Sequence, residues 1–189
     1  MMNRVIVSAV PIVVVLVLGS ALWQFDGMGN STHQCALTEE NAEGPYYLEG
    51  APQKEKLGEF LDGQRLIITG SVLDYNCDPV PGAIIDVWQT DSEGRYHFED
   101  YVLRGKVHAN DDGTYVIDTV FPGRYSEAGQ VRPAHLHLKV SSSEDLPITT
   151  QLYFEGDEHH DWLVRPSLIL ELTEFDGHAY SKFDFVIEP

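Results

Sequence analysis

The chain has 189 residues, 43% of them hydrophobic, enough to bury a sizeable core in one domain and too apolar for a disordered body. Its 12 basic against 30 acidic residues give a formal charge of −18. A surface this negative repels phosphate backbones and anionic lipid headgroups, which excludes nucleic acid as a partner and predicts a self-repelling globular body.

Residues 5–25 carry no charge and follow Arg4. The block Val13-Val14-Val15-Leu16-Val17-Leu18 is strongly apolar, and Gly19-Ser20-Ala21 puts small residues where a signal peptidase would cut. This predicts an export signal over residues 1–23. The run is also close to the ~20 residues that cross a bilayer, so a retained membrane anchor is the alternative. Either way the rest of the chain is exported. Residues 24–34, rich in Gly, Asn, Ser and Thr, read as a linker, and residues 35–189 as a single domain. Two cysteines occur, Cys35 and Cys77. An even count in an exported chain fits one disulfide, with two free thiols as the alternative.

Within the domain, Glu43-Gly44-Pro45-Tyr46-Tyr47 reads as a turn followed by an extended aromatic segment lying on the body. A strand is predicted over residues 65–74, a turn at Asn76-Cys77-Asp78-Pro79, and a second strand over residues 80–88. Turn clusters then recur at Asp91-Ser92-Glu93-Gly94, Asn110-Asp111-Asp112-Gly113, Pro122-Gly123 and Ser141-Ser142-Ser143. Between and after them lie runs rich in Val, Ile, Tyr, Phe and Thr at 115–120, 136–140, 148–154 and 183–187. No stretch past residue 30 keeps a helical period for more than about two turns. Short strands with regular turns predict an all-β fold, an antiparallel β-sandwich with long loops and little helix.

The chemistry concentrates in Val131-Arg132-Pro133-Ala134-His135-Leu136-His137-Leu138. On a strand, His135 and His137 emerge on one face while Leu136, Leu138 and Val140 share the other. Two imidazoles on one face are half of a metal site. Tyr96 and Tyr125, each just after a turn cluster, offer phenolates, and a hard trivalent cation such as Fe(III) favours anionic oxygen where zinc does not require it. Taken singly, each residue has a plainer reading. A tyrosine is usually a packed aromatic with a satisfied hydroxyl, His-x-His also occurs in cupins, copper sites and on surfaces, and Arg132 in an acidic protein reads as a surface ion pair. His159-His160 among Glu155, Asp157, Glu158 and Asp161 reads as a solvated acidic loop. His33, His97, His108 and His178 read as exposed or locally hydrogen-bonded.

Residues 67–96, from Ile67-Ile68-Thr69-Gly70 through Pro79-Val80-Pro81-Gly82-Ala83 to Gly94-Arg95-Tyr96, resemble the diagnostic segment of the intradiol ring-cleavage dioxygenases, the family of catechol and protocatechuate 3,4-dioxygenases. The likeness extends over about residues 35–160 and includes the Glu43-Gly44-Pro45-Tyr46 segment. It implies an Fe(III) centre held by Tyr96, Tyr125, His135 and His137, with Tyr125 also serving as a base. It implies that Arg132 stabilises the electron-rich ring, that Gln151 lines the substrate pocket, and that a catechol-type substrate and O2 give a cis,cis-muconate-type diacid. Cys77 stands where many members have glycine, and with Cys35 it resembles the exported subgroup, in which a disulfide is expected. The loop between Tyr125 and Arg132 is short for the family. Several relatives assemble from paired subunits, which leaves homo- or hetero-oligomers open here. Two rivals stand beside this reading. One is a non-catalytic exported β-sandwich binding module, which the Pro79-to-Ala83 stretch also resembles. The other is a cupin-like or copper enzyme using His135 and His137.

Overall fold

In the computed structural model, residues 34–99, 101–142 and 147–188 are described. The predicted export or anchor segment and most of the linker lie outside them. Two five-stranded sheets dominate. The first centres on β1 (Arg65–Asp74), and β4 (Thr114–Val120) pairs antiparallel along one of its edges. Along its other edge lie β11 (His178–Lys182) and then β12 (Phe185–Ile187), both parallel to it, with β10 (Thr173–Phe175) outside β11. Where β11 gives way to β12, Phe183 N donates to Thr69 O and the Asp184 carboxylate accepts from Ser71 N, so side chain replaces backbone for one step.

The second sheet runs in the order β3 (Arg104–His108), β2 (Ile84–Gln89), β7 (His135–Ser141), β8 (Ile148–Phe154), β9 (Ile169–Leu170). A short hairpin, β5 (Tyr125–Glu127) and β6 (Gln130–Arg132), stands apart from both sheets. The one helix among the described residues is the 3-10 turn Pro166–Leu168, and none there is long and apolar enough to cross a membrane.

The all-β sandwich expectation holds, with one correction: the sheets are mixed rather than purely antiparallel, since β11 and β12 run parallel to β1 and β9 parallel to β8. Side-chain alternation reports which face a strand buries but not which neighbour it takes, and a parallel neighbour needs a long crossover, supplied here by everything between β1 and β11. The second predicted strand also starts late, at Ile84 rather than residue 80, because Pro81-Gly82 closes a turn in which Ala83 N donates to Val80 O.

The core lies between the sheets. Leu66, Ile68, Val72 and Ile117 from the first meet Ile85, Val87, Leu136, Leu138, Val140, Leu152 and Phe154 from the second, all at most 2% exposed. Register fixes the consequence. With Val87 opposite Leu138 and Leu138 opposite Thr150, the intervening residues Trp88, His137 and Gln151 line up on the outer face of the second sheet, as do His135 and Tyr153. That outer face is covered by the extended segment 34–48. Asn41 N donates to Thr149 O at the edge of β8, Lys139 Nζ pairs with Glu43 at 2.6 Å, and Tyr47 Oη donates to Asp86 at 3.1 Å. The segment is anchored near its start by a disulfide between Cys35 and Cys77, 42 residues apart.

Candidate active site

Strand β7 presents the two histidines side by side, with His135 Nε2 and His137 Nε2 3.0 Å apart and both rings essentially inaccessible to solvent. Two ligands about 2.0–2.1 Å from one ion and at right angles would stand ~3 Å apart, so this spacing suits a shared cation. The tautomer of His135 follows from its other nitrogen: Nδ1 lies 2.7 Å from the Pro133 carbonyl, which only accepts, so Nδ1 carries the proton and Nε2 the lone pair. His137 stacks flat on Trp88, ring centroids 5.0 Å apart. Burial pushes His135 down to about 4 and His137 well below the ordinary imidazole value, the latter helped by His135 and Arg132. Both rings are therefore neutral, as a metal ligand must be.

The tyrosines come from two loops locked backbone to backbone. The Asp91 carboxylate accepts from the Glu93 and Arg95 amides, from Arg95 Nε and from the His97 ring, which winds residues 91–97 into a tight turn presenting Tyr96. Gly123 N donates to Asp91 O at 2.7 Å. A Cβ on Gly94 would fall 2.0 Å from Arg124 O, and one on Gly123 would fall 2.4 Å from Gly94 N, so glycine is required at both positions. Tyr125 then opens β5, directly opposite Arg132 on β6. The two tyrosine rings meet edge to face at 5.2 Å, and Tyr125 lies 5.6 Å from His135.

Neither tyrosine oxygen is satisfied. Tyr96 Oη and Tyr125 Oη are buried without a hydrogen-bond partner, as is His137 Nδ1. Burying a hydroxyl unpaired costs on the order of 1–3 kcal/mol, so two in one place ask for an explanation. Burial, with a contribution from Tyr125, drives the Tyr96 phenol far above its ordinary value, while burial pushes Tyr125 up to about 12 against the opposing charge of Arg132. Without a cation both phenols therefore stay protonated with no partner for their hydroxyls, and forming a phenolate here needs a cation. Among the described residues no group of three or more His, Cys, Asp or Glu could hold a metal. The donor set that does converge is two phenolic oxygens and two imidazole nitrogens, which fits a hard trivalent ion such as Fe(III).

Arg132 is mostly buried rather than a surface ion pair, its side chain 9% exposed. Nε donates to Asp161 Oδ2 at 2.6 Å and Nη2 to Gln151 Oε1 at 3.2 Å, while Nη1 lies 3.7 Å from Glu127. Burial works against its charge, but Tyr125 and Asp161 outweigh that and hold its pKa above the ordinary value. Gln151, expected in the pocket wall, lies beside the site but is fully buried: its oxygen also accepts from Tyr153 Oη at 2.7 Å, and its Nε2 donates to Ala42 O at 2.6 Å.

A second correction concerns the loop after β8. Asp157 and Asp161 point inward onto Arg124 and Arg132, with side chains 5% and 18% exposed, whereas His159 and His160 are exposed as expected. Composition marked the loop as acidic, but the arginines those acids neutralise lie 29 to 33 residues away and carry no local signal. Several other residues escaped sequence reasoning. Tyr46 stacks on Tyr96 at 4.2 Å and meets Tyr125 edge-on at 5.7 Å. The fully buried guanidinium of Arg104 lies over Tyr96 and Phe98, held by the Tyr46 and His97 carbonyls. Trp88 could have been found from the register of β2 against β7. Tyr46 had a signal in the Glu-Gly-Pro-Tyr segment, though not one that gave it a position.

Comparison with known proteins agrees with this arrangement. A family model described as Dioxygenase matches residues 42–189. A chlorocatechol 1,2-dioxygenase of Rhodococcus opacus is 33% identical, over 78% of this chain and 70% of that protein. Among solved structures, the dioxygenase domain of a dioxygenase carbohydrate-binding protein fusion from the cellulolytic bacterium Streptomyces sp. SirexAA-E superposes with a TM-score of 0.74 at 29% identity, covering 81% of this chain and 99% of that one. A chlorocatechol 1,2-dioxygenase from Pseudomonas putida gives 0.71 at 36% identity, over 79% and 72%. These relatives are enzymes, which leaves the binding-module reading without support, and the chain belongs to the intradiol ring-cleavage dioxygenases.

Proposed function

We propose that the protein is an Fe(III)-dependent dioxygenase that opens neutral catechols between their two hydroxyl-bearing carbons to give cis,cis-muconate-type diacids. The observation that carries this reading is the pair of buried, unpartnered phenol oxygens beside two imidazole nitrogens 3.0 Å apart. Tyr96, Tyr125, His135 and His137 would hold the ion. When bound, ferric iron supplies Lewis acidity and an electron sink for a chelated catechol, whose ring then becomes reactive toward O2.

The side chains around it have separable tasks. Tyr125 Oη takes a proton from a catechol hydroxyl. Arg132 across the hairpin steadies the negative charge that the Tyr125 oxygen must carry before transfer. Arg132 keeps its charge at every accessible pH and stabilises negative charge as it develops on the ring and its oxygens. Trp88 and Tyr46 wall the site with flat apolar faces, Trp88 against His137 and Tyr46 against Tyr96, and so limit water on that side.

Neutrality of the substrate follows from where the cations are spent. Arg132 is matched by Asp161, Lys139 by Glu43 and Arg124 by Asp157, while Arg104 is sealed behind the Tyr96 and Phe98 rings. Apart from the Nη1 end of Arg132, which is needed at the reacting diol, a ring carboxylate would find no free counter-charge among these groups and would meet a chain of net charge −18. The disulfide fits an exported protein, since such bonds persist in oxidising compartments.

Protein produced with ample ferric iron should carry one iron per chain and a red ferric–tyrosinate colour. It should consume O2 with catechol, releasing a product with muconate absorption, and should act at least ten times more slowly on a carboxylated catechol. A colourless, iron-free protein, or an extradiol product, would overturn the reading. Equal rates on carboxylated and uncarboxylated rings would overturn the neutral-substrate part alone.

A further inference from the structure

We propose that Asp157 and Asp161 are positioning residues with different tasks, Asp157 fixing the iron ligands Tyr125 and His135 and Asp161 fixing Arg132; the inference rests on the ferric reading above. Both carboxylates come from the one loop after β8, four residues apart.

Asp157 Oδ1 accepts from Arg124 Nε at 3.0 Å and from His159 N at 2.9 Å. Its Oδ2 accepts from the Ala134 amide at 2.9 Å and shares Arg124 Nε at 3.1 Å. Arg124 is the residue before Tyr125, and Ala134 the residue before His135. One buried carboxylate therefore ties the backbone that carries an oxygen donor to the backbone that carries a nitrogen donor. This clamp adds to the link the chain itself makes, in which Tyr125 pairs with Arg132 three residues before His135. With three donors making four hydrogen bonds to its two oxygens, Asp157 has little capacity left for substrate. Its contribution is the distance between two ligands.

Asp161 works on another group. Oδ2 accepts from Arg132 Nε, and Oδ1 accepts from the Leu163 amide at 2.9 Å, which fixes the carboxylate itself. Arg132 Nη2 is held by Gln151, whose amide is pinned in turn by Tyr153 and Ala42. The guanidinium is thus held at Nε and Nη2, while Nη1, 3.7 Å from Glu127, is the least constrained end and the one free to meet charge on a substrate. On this account Gln151 orients Arg132 and does not itself touch the ring.

Because the two carboxylates hold different parts, their loss should leave different marks. The test compares iron-loaded wild type with Asp157→Asn and Asp161→Asn, measuring ferric affinity by chelator competition, the visible band, kcat and KM for catechol, and Tm as a control. Asp157→Asn should weaken ferric affinity about 10- to 100-fold and move the visible band, the range seen when groups supporting metal ligands are removed. Asp161→Asn should leave affinity and band within about twofold of wild type while kcat falls about 10- to 100-fold and KM changes little, as a misplaced catalytic group predicts. Asp161→Glu, which keeps the charge, should recover part of the lost kcat.

If Asp157→Asn does not fold, Arg124→Gln opens the same clamp from its half-exposed end and should give the iron signature. Two variants with the same pattern, or losses that merely track Tm, would overturn the inference while leaving the ferric reading in place. A wild type that neither binds iron nor consumes catechol would overturn both.

Discussion

Strands β1 and β7 have opposite relations to solvent, and the difference explains where function sits. In β1, Leu66, Ile68, Gly70 and Val72 point inward while Ile67, Thr69 and Ser71 are partly or wholly exposed, so one face does all the packing. In β7 both faces are used. Leu136, Leu138 and Val140 enter the core, and His135 and His137 are equally hidden on the reverse under the 34–48 segment. A strand buried on both sides with polar residues on one of them has to satisfy those residues chemically. In β7 His135 is satisfied at Nδ1 by the Pro133 carbonyl, and the two facing Nε2 atoms, on the proposal above, by an ion.

The comparison is broken most severely at the polar face of β7. His137→Ala should abolish ferric binding, seen as loss of colour and of iron by metal analysis, because three donors remain and Trp88 loses its stacking partner. Next comes Arg132→Leu, which should keep iron and colour but lower kcat by about 10²–10³, the usual cost of removing a preorganised charge-stabilising donor. Wild-type turnover in that variant would refute the role given to Arg132.

On the inner face the currency is stability. Leu138→Ala should cost about 2–5 kcal/mol of unfolding free energy, read by denaturant titration, with the visible band of surviving folded protein unchanged. The matching change on the exposed face of β1, Thr69→Ala, should stay within about 0.5 kcal/mol. A large loss at Thr69 would contradict the one-sided burial of that strand.

The smallest effect is on pH dependence. Asp91 and Asp157 are both held below the ordinary carboxylate value of 3.8: burial alone would raise them, but hydrogen bonds from Arg95 and His97 to the first, and from Arg124, His159 and Ala134 to the second, outweigh it. A depressed folded-state value gives stability that is fully present above 3.8 and is lost as pH falls through the lower folded value. Acid titration should therefore show stability from this source holding steady above about pH 5 and dropping below about 4. Asp157→Asn should flatten part of that drop.

Much of this was readable in the chain. The bounds of β1 and β8 follow from alternation and turn residues, and the family's motif order brought Tyr96, Tyr125, Arg132, His135 and His137 together before any geometry was known. What escaped has a common cause. The parallel neighbours of β1, the inward turn of Asp157 and Asp161, the Gln151–Ala42 bond and the stacking of Tyr46 on Tyr96 all join residues far apart in sequence. Local periodicity reports a residue's face and its local conformation. It does not report its partner, and the supporting residues of this site are defined mostly by partners.

The parallel pairing of β1 with β11 and β12 also bears on synthesis. Residues 65–74 leave the ribosome more than a hundred residues ahead of the segments that cover one of their edges. Until then that flank of Leu66 to Asp74 is an uncapped ladder with a strongly apolar inner row, the kind of surface that recruits chaperones or a second unfinished chain. A chain released at residue 177 should accordingly be more prone to aggregate than the full 189 residues, although the residues proposed to bind iron are present in both.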